Sequence, residues 1–448
     1  MKLFGSTRSG SRLAKNRKSA LVQAAASSGG AVAAEPAQAR RRNPLKPLAI
    51  VLGILLLIEI VYFVCIYSNN SFIAKWRTIY IETAMDTLSH KWLATAIIPP
   101  DIIEDVMDQR RQALEQQIGL SSSWTKEEED EQTEDEAPLT DEIVTDVEVI
   151  PEVNPEEVAE ENFYKLFYEI DQPSLESYLA EHPEALSNGW DNLYINEAGL
   201  DDSGTSIQTI HGEQVLAIDA KNQVLLVRVS GSGYLGVLAI AKDPSRLSVY
   251  PSSQLGVTGE YIGTIAENHN GILSITGSGF IDPNGNGNGG ILAGYAMCDG
   301  TAHMGWGYKH IELHEDDLFY IKDASDPVSE DTTDAVEFQP ALIIDGTIVV
   351  DANCGWTGLQ PRACIGQSDK YEILMLVIEG RMPLRSTGTH VIECAEILKR
   401  HGCMQAMNLD GGTSAMMYFD GEYVTKCSNQ SLASGRPVPT AFVYKRAE

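Results

Sequence analysis

Apolar residues run from Leu48 to Tyr67 with Glu59 as the one charged interruption, and after residue 190 they fall into short bursts between Gly, Asn and Asp. A helix over 48–67 would rise about 30 Å, the depth of bilayer hydrocarbon, which predicts one transmembrane segment. Helical periodicity follows over 76–120, broken at Ile98-Pro99-Pro100, and 162–186 predicts one or two short helices. The later bursts predict strands at 215–218, 224–229, 237–241, 247–250 and 272–276, with a helix in between that places Tyr261, Ile262, Ile265 and Ala266 on one face. Further strands are expected at 341–344, 347–350 and 404–407. The segment 372–378, apolar without a break after Glu372, fits a central strand buried on both faces. One more helix aligns Val391, Ala395 and Leu398, with Thr387 as its cap and Gly402 as its end. The sum is an α+β (mixed α/β) domain, with a mixed β-sheet and flanking helices.

Charge turns this pattern into a topology. The chain carries a formal net charge of −30, yet residues 1–46 hold ten Lys/Arg against the single acid Glu35. Basic flanks stay in the cytoplasm, so 47–67 reads as an uncleaved signal anchor with the C-terminal part outside the cell membrane. The basic tail suits anionic lipid, while the acidic remainder repels phosphate backbones and argues against nucleic-acid binding. Residues 68–120 are expected to form a juxtamembrane helical stalk. Seventeen acids and no Lys or Arg over 127–161 place a disordered spacer within 121–161, and a short helical segment, 162–190, leads into the main domain at 191–448. Cys65 lies in the span. Cys298, Cys354, Cys364, Cys394, Cys403 and Cys427 lie beyond it, either in disulfides or as buried thiols.

Several motifs are weaker than their spelling. The Gly231–Gly236 pattern resembles a dinucleotide fingerprint but leads into a strand, where pyrophosphate needs a helix N-terminus, so it reads as a tight hairpin. His310 and His314 lack a third metal ligand and fit a surface strand. Asp282, Asn284 and Asn286 begin a calcium-loop spacing whose twelfth position is Ala293, so no metal or cofactor is expected.

Two elements stand out. A glycine-rich stretch, 278–290, follows a strand, where backbone can approach a ligand closely. Asn408-Leu409-Asp410-Gly411-Gly412-Thr413-Ser414 follows another. Its Asp-Gly is a hairpin signal first; functionally it offers a carboxylate for a sugar hydroxyl or water, and glycine N–H groups for phosphate oxygens.

These elements, with Pro361-Arg362-Ala363-Cys364-Ile365-Gly366, His401-Gly402 and Arg436-Pro437-Val438-Pro439, occur in an order that resembles the phosphodiester glycosidase family over about 194–444. The family more often has Asn-Gly-Gly-Phe-Phe at Gly277–Ile281 and a third Gly at Thr413. The resemblance implies hydrolysis of the glycosyl-phosphate bond of a sugar-1-phosphodiester, and membrane-anchored bacterial relatives point to cell-envelope or exopolysaccharide glycans. It also implies Asp410 as base or oxocarbenium stabiliser, Arg362 on the phosphate, and Asn408 beside them. Gly411 and Gly412 would donate N–H groups to the phosphate, with Thr413, Ser278, Gly279 and Asp282 around the sugar. The rival from another class is a non-catalytic carbohydrate-binding or assembly module. Oligomeric state is open.

Overall fold

The computed structural model describes residues 45–125, 154–303, 307–351 and 356–448. An apolar helix, α1 (Leu45–Tyr67), is 23 residues long, sufficient by length and composition to cross a membrane. Among the described residues, 45–61 fall in one compact unit and those from 62 onward in another.

The second unit is layered around a nine-stranded antiparallel sheet in the order Tyr194–Asn196, Gln214–Asp219, Val224–Gly231, Tyr234–Ala241, Ile373–Ile378, Arg362–Ser368, Cys403–Asn408, Ala341–Ile344 and Thr347–Ile348. Alternation of side chains explains the layering. Leu225, Val227, Leu374 and Leu376 face a core shared with α5 (Pro155–Leu166), α6 (Gln172–Glu181) and α8 (Val391–Arg400), whereas Val224, Leu226, Ile373 and Met375 face the core beneath two smaller sheets. Because both faces are covered, Ile373–Ile378 is apolar throughout and fully buried, as the sequence predicts. The smaller sheets hold five strands each, and α7 (Ile262–Asn268) packs against one of them. Every strand pairing among the described residues is antiparallel, so the expected mixed sheet is an antiparallel one.

Three local expectations are corrected. Helix α8 begins at Val391 with His390 as its cap, Nδ1 accepting from the Glu393 N–H at 3.2 Å, while the Thr387 hydroxyl donates to the Gly233 carbonyl at 2.9 Å. His310 and His314 do lie on a strand, His310–His314, but a buried one, with Glu312 accepting from both rings at 2.9 and 2.8 Å. Of the expected spacer, residues 126–153 lie outside the described residues, whereas 121–125 run against the domain, the Ser122 N–H donating to the Ile321 carbonyl and the Trp124 indole to the Phe319 carbonyl, each at 2.8 Å. The spacer's last residues enter α5, where Asn154 accepts from the Glu156 N–H at 3.2 Å and Pro155 opens the first turn. The described cysteines are unpaired thiols, and those beyond Cys65 are buried; Cys354 is outside the described residues.

The juxtamembrane segment lies against the domain instead of standing clear as a stalk. It comprises α2 (Ser71–Asp86), α3 (Trp92–Thr95) and α4 (Pro100–Gln116), packed on Ile66, Ile81, Ala84, Ala94, Ile98, Ile103 and Val106. The buried Glu82 carboxylate accepts from both the N–H and the hydroxyl of Thr357 at 2.6 Å, and the Gln117 amide donates to the Ala341 and Val349 carbonyls at 3.1 Å.

Elsewhere in the core, Lys242 reaches Glu169 and Glu372, each at 2.6 Å, with all three side chains nearly solvent-free. Burial raises the Glu169 pKa, opposed by the ammonium. Removing the lysine leaves two carboxylates without their counter-charge. Lys242→Met is therefore expected to cost about 3–5 kcal/mol in urea unfolding at pH 8, with part of the loss recovered toward pH 5 as the orphaned Glu169 protonates.

A candidate active site at one end of the central strands

Antiparallel register gathers distant parts of the chain at one sheet end. Arg362 pairs with Ile378, and Cys364 pairs with Asn408. Thus Gly380-Arg381, Pro361-Arg362 and Asn408–Ser414 all leave the sheet on the same side. The Leu409 N–H donates to the Ala363 carbonyl at 2.8 Å and the Gly412 N–H to the Pro361 carbonyl at 3.2 Å, fastening the turn to the neighbouring strand. Glycine is required there: a Cβ on Gly411 would lie 2.7 Å from the Pro361 oxygen, and Gly412 has a φ of +61°.

Above this end opens a cavity of about 610 Å³, walled by Asp86–Ser89 and Arg110, the glycine-rich loop, and Asn429 to Pro437. Arg436 closes one side. It pairs with Asp282 at 2.6 Å, donates to the Gly287 carbonyl at 2.6 Å, and lies 4.4 Å from the centroid of Phe280. On the other side Arg110 pairs with Asp86 and covers the Trp356 ring at 3.5 Å.

The remaining two lining arginines are different. Arg362 donates to the Thr389 and Gly358 carbonyls at 3.2 and 2.8 Å, and Arg381 to the Gln360 amide oxygen at 3.1 and 2.6 Å. Neither forms an ion pair among the described residues. Arg381 also has a φ of +59°, uncommon for a side chain of its size, and its Nη1 would lie 3.3 Å from a Cβ on Gly412. Burial lowers the Arg381 pKa, opposed by the charges of Asp86 and Asp410. With four guanidiniums against Asp86, Asp282 and Asp410, the lining has formal positive charge to offer an anion.

Asp410 lines the same cavity. Burial pushes its pKa up to about 6, against the Ser414 hydroxyl and the charge of Arg436, and its buried Oδ2 has no hydrogen-bond partner. Asp282 is the opposite case: burial would raise it, but Arg436 and the Gly287 N–H hold it below the usual carboxylate range. Two carboxylates in one cavity are thereby tuned apart.

Of the residues singled out in the sequence, Asp410, Arg362, Asn408, Gly411, Gly412, Thr413 and Asp282 line the cavity. Ser278 and Gly279 do not. Ser278 is solvent-free, its N–H donating to the Thr440 hydroxyl oxygen at 2.8 Å, and Gly279 lies against the Phe338 ring. The Gly412 N–H is committed to Pro361, so it does not serve a phosphate in this conformation. Asn408 donates to the Gln339 carbonyl at 2.8 Å, which pins the turn. Arg381, Arg110 and Trp356 were not singled out. For Arg381 the available signal was a cation placed just after a fully apolar central strand.

Residues 269–445 match the family model described as phosphodiester glycosidase (NAGPA). No curated protein gives a match. Among solved structures, the chain is similar to the zebrafish N-acetylglucosamine-1-phosphodiester alpha-N-acetylglucosaminidase catalytic domain auto-inhibited by its pro-peptide, at 16% identity and TM-score 0.42, over 50% of this chain and 82% of that one. A hypothetical protein from Synechocystis (14%, TM-score 0.39, 51% and 63%) and an exported protein from Burkholderia pseudomallei (15%, TM-score 0.39, 47% and 74%) are also similar.

The elevated pKa of Asp410 has a thermodynamic consequence. A folded-state value above the unfolded one means that the ionised group weakens the fold: its favourable contribution is complete below about pH 4 and is lost as pH rises through about 6. Asp410→Asn should therefore stabilise the protein at pH 8, by up to about 3 kcal/mol in chemical denaturation, and the gain should vanish by pH 4.

Proposed function

We propose, for a chain whose residues 269–445 carry a phosphodiester glycosidase domain, that it is a membrane-anchored hydrolase cleaving the glycosyl-phosphate bond of a sugar-1-phosphodiester in cell-envelope or exopolysaccharide glycans. The observation that carries this reading is the placement of Asp410, with its raised pKa and unpartnered Oδ2, in the same cavity as two guanidiniums bonded to neutral oxygens. Arg362 and Arg381 receive the phosphate. Asp410 takes the proton of a water attacking the anomeric carbon, the C1–O bond breaks, and the phosphate monoester departs with its oxygen. Such a leaving group is weakly basic, so one carboxylate and anion recognition replace the second carboxyl an ordinary glycoside needs. Asn408 and Thr413 shape the turn, and the Asp282–Arg436 pair holds the glycine-rich loop against the sugar side.

The apolar helix α1 anchors the protein in the cell membrane with the basic tail inside. Protease added to intact cells should digest the domain and spare residues 1–46; a protected domain would refute this orientation.

The activity is tested by incubating the full chain with a panel of glycosyl-1-phosphodiesters and ordinary glycosides and detecting released sugar. Release from the diesters alone is expected, with kcat/KM falling tenfold per pH unit below about 6 as Asp410 protonates. On a cleaved diester, Asp410→Asn should lower kcat by about 10² to 10⁴ with KM little changed, and Arg381→Ala should chiefly raise KM. Full turnover by Asp410→Asn would remove the carboxylate from the mechanism.

A further inference from the structure

The wall of the cavity formed by Asp86–Ser89 belongs to a helical unit tied to the end of α1. Arg77 of α2 donates to the Ile66 and Ser68 carbonyls at 2.8 and 3.0 Å, so α2 turns back across the last turn of the apolar helix instead of rising away from it. The Tyr62 hydroxyl, more than a turn inside α1, donates to the Ile97 carbonyl at 2.7 Å, and Tyr80 donates to the Leu93 carbonyl at 2.8 Å. Ile66 shares one core with Ile81, Ala94 and Ile98. This unit therefore sits at the depth of the outer end of the apolar span.

What it exposes fits that depth. Phe72, Trp76, Trp92 and Ile97 are each more than half exposed, and Trp and other amphipathic rings favour the level of lipid headgroups. Ser89, which lines the cavity, is three residues from Trp92, a span of at most about 10 Å. Leu88, also in the lining, is itself 41% exposed and brings an apolar side chain to the rim.

We propose that these exposed aromatic and apolar side chains rest in the outer headgroup layer, that the cavity opens at the membrane surface, and that the group esterified to the far side of the substrate phosphate is a lipid. This rests on the reading of α1 as a membrane span and on the diester hydrolysis above. Arg362 and Arg381 hold a phosphate at headgroup level, the acyl or prenyl chain stays in the bilayer, and the sugar enters toward Asp410. Hydrolysis places the water hydroxyl on C1 and leaves a lipid phosphate monoester in the membrane, with the proton passing through Asp410 to solvent.

The test reconstitutes the full chain in phosphatidylcholine vesicles. Lipids brominated near the headgroup should quench a share of tryptophan fluorescence that Trp92→Phe lacks; equal fractional quenching in the two proteins would overturn the surface assignment. Failure to float with the vesicles would instead refute the span and this proposal with it. For a sugar-1-phosphate whose methyl diester the panel shows to be cleaved, the hexadecyl diester in vesicles should have a kcat/KM at least tenfold higher. The Trp92→Ser/Ile97→Ser double variant should lose most of that preference while cleaving the methyl diester normally. A ratio near one, or equal loss on both substrates, would overturn the lipid assignment. If no diester is cleaved, the proposed hydrolysis and the lipid substrate both fall, and quenching still decides the surface.

Discussion

The register between strands Arg362–Ser368 and Cys403–Asn408 is the constraint on which the site depends. A slip by one residue would send each side chain of one strand to the opposite face and separate Pro361-Arg362 from the turn at Asp410. Two bonds beyond the ladder, from Leu409 to Ala363 and from Gly412 to Pro361, extend this pairing into the turn. The same pairing fixes Arg381, since Ile378 opposes Arg362 on the other side. Three segments, two of them the ends of one hairpin, thus meet at a single end of the sheet.

The cavity is built against stability. A desolvated carboxylate, a non-glycine residue at positive φ, and two guanidiniums satisfied by carbonyl or amide oxygens alone each cost free energy relative to an apolar filling. The neighbouring pairs Arg436–Asp282 and Arg110–Asp86 show that this chain can place a carboxylate beside an arginine. Its omission at Arg362 and Arg381 leaves positive charge for an incoming anion, and that charge is stronger where water is scarce.

The juxtamembrane helices extend this logic to location. Glu82, Thr83 and Gln117 bind the segment to the domain by buried hydrogen bonds, and Asp86 to Ser89 contribute part of the cavity wall. The segment that follows the apolar helix is therefore also part of the cavity wall.

Sequence alone determined what local pattern can determine. The strands 341–344 and 224–229, the two-sided burial of Ile373–Ile378, the end of α8 at Gly402 and the apolar helix over 48–67 were legible because side-chain period, turn residues and length act within one element. Asp410, Arg362 and the glycine-rich loop were legible through their spelling. Tertiary structure decided the rest. Ser278 looked like Thr413, yet one packs under Thr440 and the other lines the cavity, a difference set by sheet position. Gly412 looked like a free donor until a neighbouring strand supplied the Pro361 carbonyl. Arg381, Arg110 and the folding-back of α2 carried no motif, because their roles arise from contacts between residues on different elements, which no local pattern encodes.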